Sequence, residues 1–518
     1  MIKMTQIHSY DTYELEIISS SLDGRGIGKI DGMTVFVEGA VEGDVALVAL
    51  TKRKKRFAEG IVSEILTPSP NRIEHQCPHF GQCGGCTMFD RNYEAELKIK
   101  SSNVEQLMRR IGGFDDFALL SIEKNSRTRY RNKAVYKISS HDCGFFSQKS
   151  HTVIPVEDCL LCSENDKKLI AALVSYIKEN DVQNIKTMFV RRSFTTQEAM
   201  TAIETEGDFT DMKGLSQSLI KAGATSVIIN SQLIYGRDFI EDELLGVKFR
   251  ISHDSFYQVN PAMTNKLYSY ALECAALTGK ERVLDIYCGI GTISLCAAKS
   301  AASVIGVEIV PQAVKNARDN AILNKIENAV FYADSAENIV PKLIESGENP
   351  DVVILDPPRK GSDPATLQAI LKASPKRIVY VSCDPATLAR DCKTLAQGGY
   401  VISQAKAFDM FPGTGHVETV CLLSKLQAKQ HIEIDLDMDE LDLTVAEKKA
   451  TYDEIKAYVL EHSGLKVSSL YIAQVKQKCG IIERENYNKP KSEDAKQPQC
   501  PPDKEKAIKE ALKHFGMI

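Results

Sequence analysis

Residues 283–292 read VLDIYCGIGT, and this stretch decides the fold class of the chain. An apolar run that predicts a buried strand leads into the turn Gly289-Ile-Gly291, and the pattern after the turn predicts a helix. Glycines at such a turn allow a ligand to approach the backbone at the carboxyl end of a parallel sheet. A plain strand–helix turn would look similar, so the turn alone does not identify a ligand. Because Ser294 stands where the dinucleotide fingerprint has its third glycine, we expect a nucleoside without a pyrophosphate.

The strand–helix alternation continues downstream and predicts a doubly wound parallel sheet. The expected strands are 282–287, 303–308, 329–333, 351–355 and 377–382. Glu308 ends the second strand, where an acid is placed to accept hydrogen bonds from ribose hydroxyls. Asp334 follows the third strand and is placed to lie beside an adenine. Together these positions predict S-adenosylmethionine (SAM) as the ligand.

Three further polar residues fall at the same edge of the predicted sheet. Asp356 is followed by two prolines, which cannot continue a strand ladder, so the chain turns away and leaves the carboxylate at the edge. Cys383 follows the fifth strand, and Glu418 precedes a closing apolar strand. A packed free thiol and a solvated carboxylate are the ordinary alternatives for these two residues. Arg359 stands where amino-group methyltransferases carry an aromatic residue, which disfavours an amino group as the methyl acceptor.

Three cysteines lie within ten residues, at Cys77, Cys83 and Cys86. The two glycines between Cys83 and Cys86 allow the backbone to fold tightly around an inorganic centre. In a chain without a secretory signal, such a triplet indicates metal binding more than disulfides or buried unligated thiols. Zinc and an iron–sulfur cluster both accept four thiolates, and the spacing leaves Cys159 or Cys162 as the fourth ligand.

The length of 518 residues predicts roughly three to four domains, and the net charge of −5 excludes a histone-like polycation. No apolar run is long enough to span a membrane, so we expect a cytoplasmic protein without membrane contacts. Short alternating strands near the N-terminus predict a small barrel. Its basic loop 52–56 suits a solvated turn or an RNA backbone. The four cations at alternate positions of 127–133 are expected on one strand face, toward solvent or RNA.

Six collinear segments of the chain resemble the TrmA/RumA family of RNA uridine-5-methyltransferases. They are FYQVNP (256–261), LDIYCGIG (284–291), GVE (306–308), LDPPRKG (355–361), VSCDPATLARD (381–391) and DMFPGTGHVE (409–418). The segment CPHFGQCGGC (77–86) resembles family members that bear an iron–sulfur cluster, and the predicted barrel is similar to a TRAM RNA-binding domain. The resemblance extends from about residue 5 to 428 and leaves the tail uncovered.

The resemblance implies SAM-dependent methylation of C5 of uracil in RNA. That carbon is a weak nucleophile until a thiolate adds to C6, and Cys383 is the candidate cysteine. After methyl transfer a general base must remove the C5 proton, a role that the family match gives to Glu418. The same match gives contacts with SAM or the uracil to six residues: Gln258, Tyr287, Thr292, Glu308, Asp334 and Asp356.

The resemblance also implies a [4Fe–4S] cluster held by Cys77, Cys83, Cys86 and Cys159. A TRAM domain together with a cluster is similar to the ribosomal branch of the family, so we expect a monomeric enzyme that acts on 23S ribosomal RNA. A transfer-RNA uridine methyltransferase, a cytosine-5 methyltransferase and a non-catalytic RNA-binding iron–sulfur protein are the alternatives. Cytosine is disfavoured because those enzymes usually place the attacking cysteine beside the proline in the segment that here reads LDPPR (355–359).

The expected fold class is α/β, with a Rossmann-like SAM-dependent methyltransferase domain at 251–428. A TRAM-like, OB-like β-barrel is expected at 5–65 and a cluster-bearing α+β domain at 66–250. An acidic linker and a helical extension are expected at 429–518, and two short helices of this extension resemble a helix-turn-helix.

Overall fold

The computed structural model describes residues 11–425, 452–479, 500–515 and 517, and the chain divides into two compact units, Met1–Ala428 and Lys429–Ile518. The acidic stretch 433–442 of the predicted linker lies outside the described residues, as do residues 5–10 of the predicted barrel. Among the helices of the described residues, none is both long and apolar enough to cross a membrane.

The N-terminal segment forms a six-stranded sheet that curls around its own apolar core. Its strands are β1 (Thr12–Glu16), β2 (Ser19–Ser20), β3 (Gly26–Ile30), β4 (Met33–Glu38), β5 (Val45–Arg53) and β6 (Phe57–Thr67). They pair in the order β1-β5-β6-β4-β3-β2. The amides of Ile17 and Ile18 donate to the carbonyls of Asp44 and Ile27, which joins the two ends of the sheet. The basic loop 52–56 is exposed at the turn between β5 and β6.

One helix and one strand lead from this barrel to a mixed seven-stranded sheet. In chain order the elements are α1 (Tyr93–Leu107), β7 (Leu119–Glu123), β8 (Lys133–Ser139), β9 (Asp142–Phe146), β10 (Val153–Pro155), α2 (Asp166–Glu179), β11 (Ile185–Arg192), β12 (Ala199–Thr205), α3 (Met212–Lys221), β13 (Ser226–Ile229) and β14 (Gln232–Tyr235). The sheet order is β10-β9-β8-β11-β12-β13-β14. Apolar stripes of α2 and α3 pack on the sheet, with Leu173 and Leu219 in one core with Met188.

The prediction that the four cations of residues 127–133 lie on one strand face is wrong. β8 begins only at the last of them, and Arg129 has a left-handed backbone with φ of +56°, which breaks the alternation. Arg127 turns inward and lies 2.8 Å from the buried carboxylate of Glu96. Arg129 pairs with Asp158 at 2.6 Å. Both cations pair with carboxylates of the protein, so the four do not form a ridge toward RNA.

The doubly wound sheet predicted from the sequence is present, and the α/β fold class is confirmed. Its elements follow the hairpin β15 (Phe239–Leu244) and β16 (Val247–Ser252) and are α4 (Pro261–Ala275), β17 (Arg282–Ile286), α5 (Thr292–Ala298), β18 (Ser303–Glu308), α6 (Pro311–Leu323), β19 (Ala329–Ala333), α7 (Ala336–Glu345), β20 (Val352–Leu355), α8 (Pro364–Ala373), β21 (Arg377–Ser382), α9 (Pro385–Gln397), β22 (Tyr400–Phe408) and β23 (Glu418–Lys425). The sheet order is β19-β18-β17-β20-β21-β23-β22-β7.

Strands β17 to β21 run parallel, and alternate residues enter two separate apolar cores on the two faces of the sheet. Val283 and Ile354 belong to one core, whereas Leu284 and Val353 belong to the other. Both faces are therefore buried, as in other sheets covered by helices on both sides. Residues 119–123, which the sequence places in the central domain, add β7 to the edge of this sheet beside β22.

The described part of the C-terminal unit consists of three helices, α10 (Tyr452–Ser463), α11 (Ser469–Lys478) and α12 (Pro502–His514). Ser468 caps α11 by accepting a hydrogen bond from the amide of Tyr471 at 3.3 Å. Apolar residues from all three helices, including Val459, Ile472 and Ile508, share one buried cluster. The two helices that resemble a helix-turn-helix thus share one small core with α12, and all three helices agree with a helical extension.

Candidate active site

The carboxyl ends of the parallel strands bring the predicted site residues to one edge of the sheet. Tyr287, Asp356 and Cys383 each follow the last residue of a strand, and Glu308 ends its own strand. Glu418 reaches the same edge because β23 runs antiparallel to β21, with Ser382 paired to Thr419. A nucleophile candidate and a base candidate thus lie next to each other on adjacent strands. This edge is where ligands bind in open α/β sheets.

The turn after β17 contains three residues in the left-handed backbone region, which favours glycine. Tyr287, Gly289 and Gly291 all have positive φ angles, of +69°, +56° and +82°. A Cβ on Gly291 would lie 3.2–3.3 Å from Ala317 and Phe331, tighter than ordinary contact. Close packing therefore favours glycine at position 291, whereas a Cβ on Gly289 would meet no atom within 4 Å and only its positive φ favours glycine there.

Glu308 is fixed against this turn by its own carboxylate. One oxygen accepts a hydrogen bond from the amide of Gly289 at 3.1 Å and the other accepts one from the amide of Val310 at 2.9 Å. Each carboxylate oxygen keeps a further lone pair, which is what a pair of ribose hydroxyls requires. The amide of Asp334 donates to the Glu308 carbonyl at 3.1 Å, so the two acids are neighbours.

Gln258 and Thr292 meet through a residue that the sequence analysis missed. Tyr268 on α4 is buried, and its hydroxyl lies near both side chains. Burial raises the pKa of Tyr268, and the nearby charge of Asp356 raises it further. The backbone of Gln258 is held by Asn132, whose side-chain amide donates to the Gln258 carbonyl at 3.0 Å. Neither Tyr268 nor Asn132 lies in a motif that marks it, so no local signal identifies them.

Tyr287 is directed away from the other predicted site residues. Its hydroxyl lies 3.1 Å from the Ser362 hydroxyl, and its ring packs against the core that contains Ala336 and Leu367. The structure therefore joins Cys383, Glu418, Asp356, Gln258 and Thr292 in one cluster, and gives Tyr287 a contact of its own. Glu308 and Asp334 border this cluster on the side of β18 and β19.

Glu418 is a buried carboxyl group with an unused oxygen. The residue is 3% exposed, and its Oε2 atom has no hydrogen-bond partner among the described residues. Burial raises the pKa of Glu418 above its usual 4.5, and the nearby Asp356 raises it further, against the opposing effect of Arg359. A buried carboxyl that holds its proton more tightly can act as a base near neutral pH.

The Cys383 thiol is half-buried beside these acids. Burial, Glu418 and Asp356 raise its pKa to about 11, although Arg359 acts in the opposite direction. Burial and the neighbouring carboxylates therefore disfavour the thiolate, and a positive charge or loss of a carboxylate charge nearby would favour it.

Comparison with known proteins identifies the family of the chain. The family described as tRNA (Uracil-5-)-methyltransferase matches residues 92–426, and the TRAM domain family matches residues 11–63. The chain belongs to the RNA uracil-5-methyltransferase family. The methyltransferase activity, SAM as methyl donor and RNA as the class of substrate are thereby confirmed.

The relatives extend over most of the chain. An uncharacterized RNA methyltransferase of Clostridium acetobutylicum is 38% identical over 462 residues, which cover 82% of this chain and 100% of the relative. An uncharacterized RNA methyltransferase of Halalkalibacterium halodurans is 37% identical over 447 residues, covering 80% and 98%. The crystal structure of the Pyrococcus abyssi tRNA (uracil-54, C5)-methyltransferase in complex with S-adenosyl-L-homocysteine is similar with a TM-score of 0.65 at 27% identity, covering 79% of this chain and 100% of that chain.

The methyltransferase also gathers its candidate metal-binding cysteines at one cavity of about 570 Å³. Besides burial, the charges of Cys77 and Cys159 raise the pKa of Cys83 and Cys86, so these four thiols lie close together. Cys162 also borders the cavity but is buried against other core residues. Among residues 11–425, 452–479 and 500–515, no group of three or more Cys, His, Asp or Glu has the geometry to hold a single metal ion.

The raised pKa of Glu418 predicts how the stability of the methyltransferase depends on pH. Between pH 4.5 and the higher pKa of the folded state, the unfolded chain loses its Glu418 proton first, so the wild type loses stability as pH rises. The glutamine in Glu418→Gln cannot ionise, so this contribution to the loss of stability is absent from the variant. We expect the two proteins to melt at similar temperatures at pH 5, and the variant to melt several degrees higher at pH 9.

Thermal unfolding across this pH range checks the expectation. Glu345→Gln is the matched control. Glu345 is exposed, and its ion pair with Lys372, at 3.5 Å, is exposed as well, so its loss should change stability little at any pH. A difference between Glu418→Gln and the wild type that does not grow with pH would contradict the raised pKa.

Proposed function

We propose that the chain methylates C5 of a uridine in 23S ribosomal RNA through a covalent bond between Cys383 and C6. The observation that carries the proposal is the pairing of β21 with β23, which puts a half-buried thiol beside a buried carboxyl with a free oxygen. Addition of the thiolate to C6 moves an electron pair to C5 and makes that carbon a nucleophile. SAM supplies the methyl group as an electrophile.

Glu418 completes the reaction as the general base. Its carboxylate takes the proton from C5, the electron pair re-forms the C5–C6 double bond, and the Cys383 thiolate is expelled. Burial supports this role because it raises the pKa of the acid toward neutral pH. Arg359 favours the charged forms of both Cys383 and Glu418, which supports a role in holding them ionised during the cycle.

The other predicted residues are proposed to hold the two reactants. Glu308 would bind the ribose hydroxyls of SAM and Asp334 its adenine, since both lie beside the glycine turn. Gln258, Thr292 and Asp356 would face the methyl group and the uracil from the cluster around Tyr268. Tyr287 would contact SAM through its backbone, which has a left-handed conformation, because its hydroxyl already forms a hydrogen bond with Ser362.

A [4Fe–4S] cluster held by Cys77, Cys83, Cys86 and Cys159 is part of the proposal. Four thiols around one cavity suit this cluster, which spaces its thiolates more widely than a single ion does. Arg131 borders the same cavity and would balance the negative charge of the bound group. Cys159 is preferred over Cys162 because Cys159 and Cys86 pack against the same small core, whereas Cys162 is buried within another core. In this role the cluster would stabilise the fold of the protein without taking part in the methyl transfer.

The choice of 23S ribosomal RNA rests on the TRAM domain and the cysteine cluster. The exposed cations of loop 52–56 offer a surface for the phosphate backbone. A transfer RNA is the second candidate, because the structural relative from Pyrococcus abyssi is named for a uracil of tRNA. Sites of 5-methyluridine in both RNAs from a strain that lacks this gene would distinguish the two, since loss should occur in 23S ribosomal RNA alone.

Cys383→Ala tests the nucleophile directly. With labelled SAM and total RNA, we expect the wild type to produce labelled 5-methyluridine, and the variant to fall to background because C5 is no longer activated. Cys392→Ala is the control, a buried cysteine on α9 that should keep full activity. Activity in Cys383→Ala would exclude the covalent route. Label in 5-methylcytidine would instead support a cytosine-5 methyltransferase. Label in no nucleoside would support a non-catalytic RNA-binding protein.

The metal centre has its own test. Protein purified without oxygen should contain about four iron atoms and matching sulfide per chain. Cys86→Ser and Cys159→Ser should lose most of this iron, whereas Cys162→Ala should keep it. Stoichiometric zinc in place of iron, or loss of iron from Cys162→Ala but not from Cys159→Ser, would contradict the proposed ligand set.

A further inference from the structure

The loop 409–417 determines where Glu418 lies. It connects β22 to β23, and the strand residues that flank it, Phe408 and Glu418, are paired across the hairpin. Because the Oε2 atom of Glu418 has no partner among the described residues, its carboxyl group is placed mainly by its backbone and by packing. Whatever fixes this loop therefore fixes the proposed base.

A buried cluster of four charges holds the start of the loop. The ammonium of Lys100 on α1 donates to Asp409 at 2.6 Å, to Glu96 at 2.7 Å and to the carbonyl of Phe411 at 3.2 Å. The side chains of Lys100, Glu96 and Asp409 are completely buried. Arg127 lies 2.8 Å from Glu96, so two cations balance two carboxylates.

Further hydrogen bonds reach the loop backbone from the same region. Glu96 accepts one from the amide of Gly413 at 2.6 Å, and the Gly413 carbonyl accepts two from the amides of Thr87 and Met88, at 2.9 and 3.0 Å. The hydroxyl of Tyr93 donates to the second Asp409 oxygen at 2.7 Å. Side chains and backbone of the segment 87–100 thus fix both ends of the stretch 409–413.

Stability alone is a poor reason for so many buried charges. Replacing a buried ion pair with apolar groups of similar size is often neutral or stabilising, whereas the charges impose a defined geometry. We infer that Glu96 and Lys100 are positioning residues that hold loop 409–417, and through it Glu418, in place for removal of the C5 proton. This inference rests on the proposed role of Glu418.

The double variant Glu96→Gln/Lys100→Met tests the inference. It removes one charge of each sign, so the net charge of the cluster is unchanged, while the bonds from Lys100 to Asp409 and Phe411 are lost. A displaced base slows proton removal more than the steps before it, and a misplacement of this kind costs up to about 10²-fold in rate. We expect kcat to fall by about 10–10² with KM for RNA and SAM changed less than about threefold.

The distinguishing readout is the covalent complex that carries the methylated base. Label from SAM should accumulate in a protein–RNA complex stable to denaturation, in the double variant as in Glu418→Gln, and stay low in the wild type. Glu105→Gln/Arg109→Met is the matched control, an exposed i,i+4 pair at the other end of the same helical segment, and should behave as the wild type. Melting temperature and S-adenosylhomocysteine affinity confirm that the variants fold.

Four results would overturn the inference. An unchanged kcat would do so, as would a lower kcat without accumulation of the complex, since a general structural defect slows every step. If Glu418→Gln accumulates the complex and the double variant does not, the positioning role fails while the proposed base stands. If Glu418→Gln does not accumulate it either, the role of the base fails and the inference with it. If the double variant does not fold, the same measurements on Tyr93→Phe, which loses one hydrogen bond to Asp409, test the positioning role.

Discussion

The buried ammonium of Lys100 between Glu96 and Asp409 is the interaction on which the arrangement of the site depends. It joins α1 to the loop that precedes Glu418, across more than 300 residues of sequence. A charge removed from water is tolerated only if partners satisfy it, so the helix and the loop must meet in this one geometry. The segment that follows Cys86 binds the same loop through its amides. The barrel meets it as well, because a Cβ on Gly415 would lie 1.6 Å from the Leu22 carbonyl.

The chemistry of the site follows from sheet geometry and burial acting together. Parallel strands deliver Asp356 and Cys383 to one edge, and the antiparallel β23 returns Glu418 to it. Placing two acids and a thiol in a buried place is unfavourable for their charged forms, because burial raises the pKa of all three and the neighbouring acids raise those of Cys383 and Glu418 further. The same cost makes Glu418 a stronger base than a solvated acid. The raised pKa of Glu418 favours proton removal, whereas the raised pKa of Cys383 opposes formation of the thiolate, and Arg359 offsets part of that opposition.

Much of the fold could be predicted because it depends on local sequence patterns. Each of the five parallel strands lies within one residue of its expected limits, since apolar runs and glycine turns report burial directly. Cys383, Glu308 and Asp356 could be predicted as site candidates because residues that follow parallel strands meet at one edge. These inferences need only the order of elements along the chain.

The features that escaped prediction depend on contacts between distant segments. Arg127 and Arg129 alternate as if on a strand, but the left-handed backbone at Arg129 breaks the alternation and the carboxylate of Glu96 holds Arg127 inward. Likewise Glu96 and Lys100 read as an ordinary surface pair at i,i+4 until Asp409 is seen to lie against them. Tyr268 lies on α4 without a motif. Charge alone does not say whether a residue faces solvent or a buried partner.

Release of tritium from C5 tests the central claim most directly, namely that Cys383 and Glu418 together exchange the C5 proton of uracil for a methyl group. RNA labelled with tritium at uracil C5 is incubated with the enzyme and SAM, and tritium in water is compared with methyl groups in RNA. The mechanism predicts one tritium released for every methyl group incorporated. Methylation with the tritium retained at C5 would place the methyl group on another atom and contradict it.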